Sequence, residues 1–598
     1  MKILNYELEK ADYIFIALAL VLLYLNFSLL SELKQVPSPP YGGDFYNGLG
    51  GVLHIIDGGS VFDSAQMVGE TPWVPWAYHL SVALFSIITG LEPWAALVYF
   101  SLVIQILAMP LIYFLLQKIT NDKYLSLFGP VLFVSPFPLF KYSDFATWLI
   151  VPAFVYSLYL LMEKATLRRA IFSGIMLGLM GLSNTQAFFV GFILFGLFLI
   201  VFLLPKLREK LDFETIKPYA VVLVLGTLIS ILFWFWPIFV YHGETLNPVQ
   251  DITSPDMHDS GYLWKSISDS LNSFLFPYKF GLSVVFTLLN LIGLGVVLKN
   301  LKEDKNKFIL VLVIALLIGI FHPLLTVPLF DLHLMNFMMA ARLLPTINII
   351  LMTIGAGFIL NKINGQKYAK WAVIIILIAL ALMQVLSSLE AKNEDQWIEY
   401  GKTELPQPYA DLADWIRTNS DVNDVFLTTN EGGFMMNALT GRKVVSYRRA
   451  HASPYTDMNK RMADQAVMVY GNNSAETIKL IEEHNVKYLL WSNRWMFDEF
   501  QFDEQGRLVA FYDPLNVPNE PEYRQYWSDN QVMYITLNMS LDPAPREGVP
   551  FYDMIVALPT NPTPDMPYSP VLVQQFTLKK TISHDGVDYF RIYEVRNS

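Results

Sequence analysis

The chain has 598 residues and a formal net charge of −11, and it is 54% hydrophobic, 14% aromatic and only 16% charged. Soluble domains carry about 25% charged residues, so a large apolar surface must be kept from water, and the long uninterrupted apolar blocks point to a bilayer. The lack of cysteine excludes disulfides, thiolate metal sites and cysteine nucleophiles, and the acidic balance argues against nucleic acid as a partner.

A membrane-crossing helix needs about 20 predominantly apolar residues. In chain order, about eleven segments meet or approach that length: 12–32, 94–117, 124–140, 146–162, 167–183, 186–204, 218–240, 281–298, 308–327, 338–360 and 369–390. No small-residue cleavage site follows the first, which reads as an uncleaved helix. A further apolar stretch, 76–90, is short. Basic residues decide its role, because cytoplasmic loops carry the lysine and arginine excess. Lys118, Lys164, Arg168, Arg169, Lys206, Arg208, Lys299, Lys302, Lys305 and Lys362 all fall inside with Lys2 and Lys10 only if 33–93 stays outside. The 76–90 stretch is then a juxtamembrane or re-entrant helix on the outer face. No internal repeat is visible, which weighs against an inverted-repeat transporter.

After about residue 391 the pattern becomes that of a soluble mixed α/β domain holding about ten of the net negative charges. Residues 407–419, 457–470 and 475–485 read as helices, and 424–429, 443–447 and 486–491 as strands. Further strands are expected at 531–537, 571–578 and 588–595. The expected architecture is a polytopic α-helical membrane protein with an extracytoplasmic α/β domain: 1–390 transmembrane with a cytoplasmic N-terminus, 391–598 outside.

Three outer segments hold residues suited to chemistry. The first contains Tyr41-Gly42-Gly43-Asp44-Phe45-Tyr46-Asn47, then Gly48, Gly50, Gly51 and His54, and later Pro72-Trp73-Val74-Pro75-Trp76-Ala77-Tyr78-His79. Its glycines would let backbone approach a ligand. Asp44, raised in pKa by burial beside lipid, would act as a general base; the plainer alternative is a carboxylate capping the next helix. The second runs Ser135-Pro136-Phe137-Pro138-Leu139-Phe140-Lys141-Tyr142-Ser143-Asp144, where Asp144 either joins Asp44 at the same membrane depth or caps the helix beginning at Phe145. The third leads to Arg342, one or two turns into an apolar helix; such an arginine either holds an anionic partner, for which phosphate is a good match, or snorkels to the headgroups. The polar loop 241–280, with His242, Glu244, Asp251, Asp256, His258 and Asp259, matches no defined ligand spacing and reads as solvated.

These features together resemble the GT-C class of integral-membrane glycosyltransferases, over about residues 10–360. The resemblance implies Asp44 as catalytic base, Asp144 as a second acidic residue of the site, and Arg342 on the phosphate of a polyprenyl-linked donor. It extends less firmly to His54, His79, Tyr46, Asn47 and Glu244 as substrate-binding residues. Where many members have Asp-x-x-Tyr-His, this chain has Asp44-Phe45-Tyr46-Asn47, so the histidine is replaced. The stretch Leu427-Thr428-Thr429-Asn430-Glu431-Gly432-Gly433-Phe434 is similar to the start of the outer domain of oligosaccharyltransferase catalytic subunits, but stands where they carry Trp-Trp-Asp-Tyr-Gly. That departure favours transfer of a single sugar over protein N-glycosylation.

The expected function is therefore an inverting membrane glycosyltransferase taking a lipid-linked sugar donor to a glycan, lipid or protein acceptor on the outer face. The alternatives are an oligosaccharyltransferase-like enzyme and a non-catalytic lipid-glycan transporter or scaffold. No cofactor is demanded; a divalent cation, Mg2+ or Mn2+, is compatible with the acidic pair.

Overall fold

The structure, a computed structural model, describes residues 2–3, 6–38, 43–134, 141–209, 212–242, 245–247, 260–277, 283–330, 336–362, 367–505, 507–539, 552–559 and 567–596. Helix occurs in every segment expected to cross the membrane, including Lys10–Leu30, Pro93–Thr120, Phe213–Phe235, Asn336–Lys362 and Lys367–Asn393. Among the described residues seven are long and apolar enough to cross on their own, and eight if Asp304–Phe321 and Pro323–Leu329, bent by 46°, form one span. Leu167–Ser183 and Ser283–Lys299 have 17 residues each, a little short of the about 20 that a crossing needs, and in the 124–140 segment the described helix ends at Val134.

The Ala77–Thr89 helix has 13 residues, stopped by Gly90 in the left-handed conformation at φ 71°. At 1.5 Å per residue it is about 20 Å long, short of the ~30 Å hydrocarbon core. Two expectations about loops need correction. Residues 43–56, read as a glycine-rich ligand loop, form a helix, Gly43–Ile56. Part of the polar 241–280 loop is also helical, Ser260–Leu275, because its apolar residues recur on one face while the polar ones take the other.

The tail is built on a five-stranded mixed sheet. Its order is Phe576–His584, Val587–Val595, Val486–Ser492, Val425–Leu427, Lys443–Val444. The last three strands are parallel and buried; Val587–Val595 and Phe576–His584 add antiparallel at one side. A second, antiparallel sheet places Tyr552–Leu558 between Asn516–Pro518 and Met533–Met539. The strand expected at 571–578 begins only at Phe576, because Ser569 caps, and Pro570 opens, a short helix Pro570–Gln574.

The segment between the first two long membrane helices is joined to this tail. The Gly43–Ile56 helix packs on Asn430–Thr440, so closely that a Cβ on Gly50 would stand 2.8 Å from the Asn437 backbone oxygen. Met67 bridges to Val444 at the sheet edge, and the Val444 N–H donates to Gln66 O at 2.7 Å. Three acidic residues then meet basic ones: Asp57 with Arg417 (2.8 Å) and Arg442, Asp63 with Lys443, and Glu70 with Arg461 (2.6 Å).

Candidate active site

Asp44 lies in the first turn of the Gly43–Ile56 helix, where a carboxylate is favoured by the helix dipole. Gly43 before it has φ 79°, and a side chain there would meet the Trp397 ring at 2.7 Å, so the turn that aims Asp44 requires glycine. Asp144 lies in the third position of the Tyr142–Phe145 helical turn, and its carboxylate accepts from the Lys141 N–H at 3.3 Å. It therefore caps its helix and also faces the cavity described next. Arg342 sits nearly two turns into Asn336–Lys362, 9% exposed. Its Nη1 donates to Ser143 O (2.7 Å) and Thr147 Oγ1 (2.6 Å), while its Nε is buried without a hydrogen-bond partner.

These three side chains line one cavity of about 1190 Å3 at the end of the helix bundle that meets the tail. Ligand pockets of ordinary size hold about 300–1,000 Å3, so this one has room for a sugar with part of its carrier. Trp73, Tyr142, Trp148 and Trp234 supply flat apolar walls, and Asn184, Gln186 and Asn348 supply neutral polar groups.

Two lining residues escaped the sequence reading. Lys141 Nζ donates to Asp44 Oδ2 at 2.5 Å, and His451 Nε2 lies 3.6 Å from Asp44 Oδ1. Lys141 had a legible signal: a lysine in a loop assigned to the side where lysines are scarce. His451 had none, since it comes from the tail, about 400 residues downstream of Asp44. It is set by ring contacts with Trp73 (5.5 Å between centroids) and Phe434 (5.2 Å), with Nδ1 buried and unpartnered.

The electrostatics reverse one expectation. Burial raises the Asp44 pKa, but the nearby His451 ring and the charge and hydrogen bond of Lys141 outweigh it, and the net value falls to about 2. Asp44 is an ionised carboxylate held by the Lys141 ammonium with His451 beside it, not an acid kept protonated by lipid.

Four other sequence-derived candidates lie elsewhere. Tyr46, 1% exposed, donates through Oη to Gln35 Oε1 at 3.0 Å. Asn47 Oδ1 accepts from Gln66 Nε2 (2.6 Å) and Tyr447 Oη (3.2 Å). His54 Nδ1 is 3.1 Å from Gly441 O, and burial lowers its pKa. His79 is buried against Tyr78 and Gly51. Asn47, His54 and His79 border a second cavity of only about 60 Å3, and none of the four lines the large one. The polar atoms of Asn47 and His54 hold the first helix of this region to the tail, at Tyr447 and Gly441. Glu244 lies outside the described residues, as do Asp251, Asp256, His258 and Asp259.

A divalent cation fits this arrangement poorly. It would need open carboxylate oxygens, whereas Asp44 already has Lys141 on one and His451 beside the other. Among the described residues no three His, Asp or Glu side chains converge in a way that could hold a metal.

No family model matches the sequence. Among solved structures the chain is similar to the oligosaccharyltransferase of Archaeoglobus fulgidus tethered to an acceptor peptide: 12% identity, 84% of this chain, 74% of that one, TM-score 0.45. It is also similar to ArnT of Cupriavidus metallidurans bound to undecaprenyl phosphate, at 10% identity, 91% and 97% coverage and TM-score 0.47. For the arabinofuranosyltransferase AftD from Mycobacteria the values are 12% identity, 92% of this chain, 40% of that one and TM-score 0.45. A curated relative is the uncharacterized protein MJ1080 of Methanocaldococcus jannaschii, 31% identical over 132 residues, which are 22% of this chain and 97% of that protein. Through those residues the chain belongs to the family of MJ1080.

Proposed function

We propose that this chain is an inverting glycosyltransferase that moves a sugar from a polyprenyl-phosphate-linked donor to an acceptor hydroxyl on the outer face of the membrane. The observation that carries the reading is the meeting of Asp44, Asp144 and Arg342, from three separate segments, in one large cavity where the membrane helices meet the tail. The reading puts the N-terminus in the cytoplasm, and divides the chain into a transmembrane part, 1–390, and an extracytoplasmic part, 391–598.

In this mechanism the acceptor oxygen attacks the anomeric carbon from the face opposite the phosphate. The acceptor proton passes to Asp44, the bond from the anomeric carbon to the phosphate oxygen breaks, and its electron pair leaves with the polyprenyl phosphate. A carboxylate of pKa about 2 is a weak base, so it takes the proton late, as the attacking hydroxyl becomes acidic. Arg342, already desolvated, faces the growing phosphate charge; preorganised charge of this kind lowers a barrier most. Asp144 orients the acceptor.

The test is transfer from a polyprenyl-phosphate sugar by purified wild type, Asp44→Asn and Arg342→Ala in lipid nanodiscs. Turnover is expected to vanish in Asp44→Asn with donor binding retained, and donor binding is expected to weaken in Arg342→Ala. Near-normal transfer by Asp44→Asn would remove the base. Donor binding with no turnover in wild type would make the protein a lipid-glycan carrier instead.

A further inference from the structure

Among the described residues the cavity wall carries two carboxylates, Asp44 and Asp144, and two fixed cations, Lys141 and Arg342. The acidic pair is thus matched in charge by the chain itself. Lys141 is placed for this by its own element. It precedes the Tyr142–Phe145 turn, so its N–H is committed to Asp144 at 3.3 Å while its Nζ reaches Asp44 at 2.5 Å. One residue therefore bridges both acids, through backbone to one and through side chain to the other. A divalent ion entering here would have to displace an ammonium from Asp44 and then sit beside it, two unfavourable steps, because like charges a few ångströms apart in a partly desolvated site repel strongly.

We propose that the Lys141 ammonium is the resident cation of this site, occupying on Asp44 the position a divalent metal would take, and that sugar transfer by this chain is independent of divalent ions. The statement about turnover rests on the glycosyltransferase reading above; the statement about metal binding does not. Asp44 is bound on Oδ2 by Lys141, so it is Oδ1, with His451 Nε2 at 3.6 Å, that accepts the acceptor proton. Lys141 also fixes the relative position of the two acidic residues, since it is held to both.

The experiment is an equilibrium Mn2+ titration of the full chain in nanodiscs after EDTA treatment, followed by electron paramagnetic resonance, on wild type, Asp44→Asn and Lys141→Gln. At free Mn2+ of about 100 μM, a concentration at which many oxygen-donor sites fill, wild type is expected to bind none stoichiometrically. Lys141→Gln, which frees Asp44 Oδ2, is expected to gain Mn2+ affinity. One Mn2+ per chain in wild type would overturn the proposal, an outcome that needs no variant to fold, and its loss in Asp44→Asn would place the ion on that carboxylate. In parallel, transfer by EDTA-treated wild type is expected to equal transfer with Mn2+ added. Lys141→Gln is expected to lose about 100-fold or more, the scale of removing one preorganised charge, and Lys141→Arg to restore part of it. Transfer restored to EDTA-treated wild type by Mn2+ would also overturn the proposal. If wild type transfers no sugar, the glycosyltransferase reading fails while the titration still decides which cation Asp44 holds.

Discussion

Asp44 is pulled in two directions: burial disfavours its charge, while His451 and Lys141 favour it by more. With the net pKa near 2, the free protein keeps this carboxylate ionised throughout the neutral range. The kcat/KM profile for sugar transfer is therefore expected to show no acidic limb from Asp44 between about pH 5 and 8, since that profile reports groups of the free enzyme. Replacing His451 by Gln removes the first of the favourable partners and should move the Asp44 titration upward. A limb near pH 6 in wild type that shifts in Asp44→Glu would show that Lys141 and His451 do not hold the carboxylate as the geometry implies. Linkage has the same sign: the stability that Asp44 contributes is present above its unfolded value of about 3.9 and is lost as pH falls through 2.

At the scale of elements, the Gly43–Ile56 helix is decided by its neighbours. Its glycines suggest a loop, but Gly50 faces the backbone of Asn437, and Gly441, at φ 69°, lies where a Cβ would be 2.5 Å from His54 N. Gly50→Val is expected to cost about 1–3 kcal/mol through overpacking, read as a lower Tm in detergent. Gly196, in the Thr185–Phe198 helix with nothing within 4 Å of its would-be Cβ, is the control. Gly196→Ala should leave Tm unchanged or raise it slightly, because alanine is the better helix former by about 1 kcal/mol. Equal losses in both variants would mean that close packing against the tail is not what sets Gly50 apart.

Across the whole molecule, the acidic tail turns a basic edge toward the segment that bears Asp44. Arg442, 3% exposed, has Asp57 as its anionic partner there. Asp57→Ala leaves that guanidinium buried without a carboxylate, for an expected loss of about 3–5 kcal/mol, measurable as faster proteolysis between tail and helix bundle. The tail also contains carboxyls that resist ionisation. Burial, with the charge of Glu431 nearby, raises Asp498 to about 7, and burial raises Glu499 to about 8 although Tyr470 donates to it. The folded tail thus keeps protons that the unfolded chain releases, so its stability should decline as pH rises from about 4 and be lost in this component above about 8. Glu499→Gln, which keeps an acceptor for Tyr470, is expected to flatten the fall of Tm between pH 5 and 8. An unchanged slope would place the proton uptake elsewhere.

Local chemistry determined much of this protein. Apolar runs of about 20 residues write themselves as helices because an unpaired backbone cannot be left in lipid, and in the tail a 3.6-residue period sets helices such as Gln407–Asn419 while a short continuous apolar run sets the buried strand Val486–Ser492. Asp44, Asp144 and Arg342 stood out for the same reason, as charges in or beside apolar segments. What only the tertiary structure decided is who meets whom. Hydropathy is a sum over neighbours in sequence, and it carries no term for a lysine at 141 and a histidine at 451 closing on an aspartate at 44, nor for Asn47 and His54 turning from that cavity to hold the tail. Those pairings follow from the packing of the Gly43–Ile56 helix against the tail, and with them the charge state of the carboxylate on which the chemistry depends.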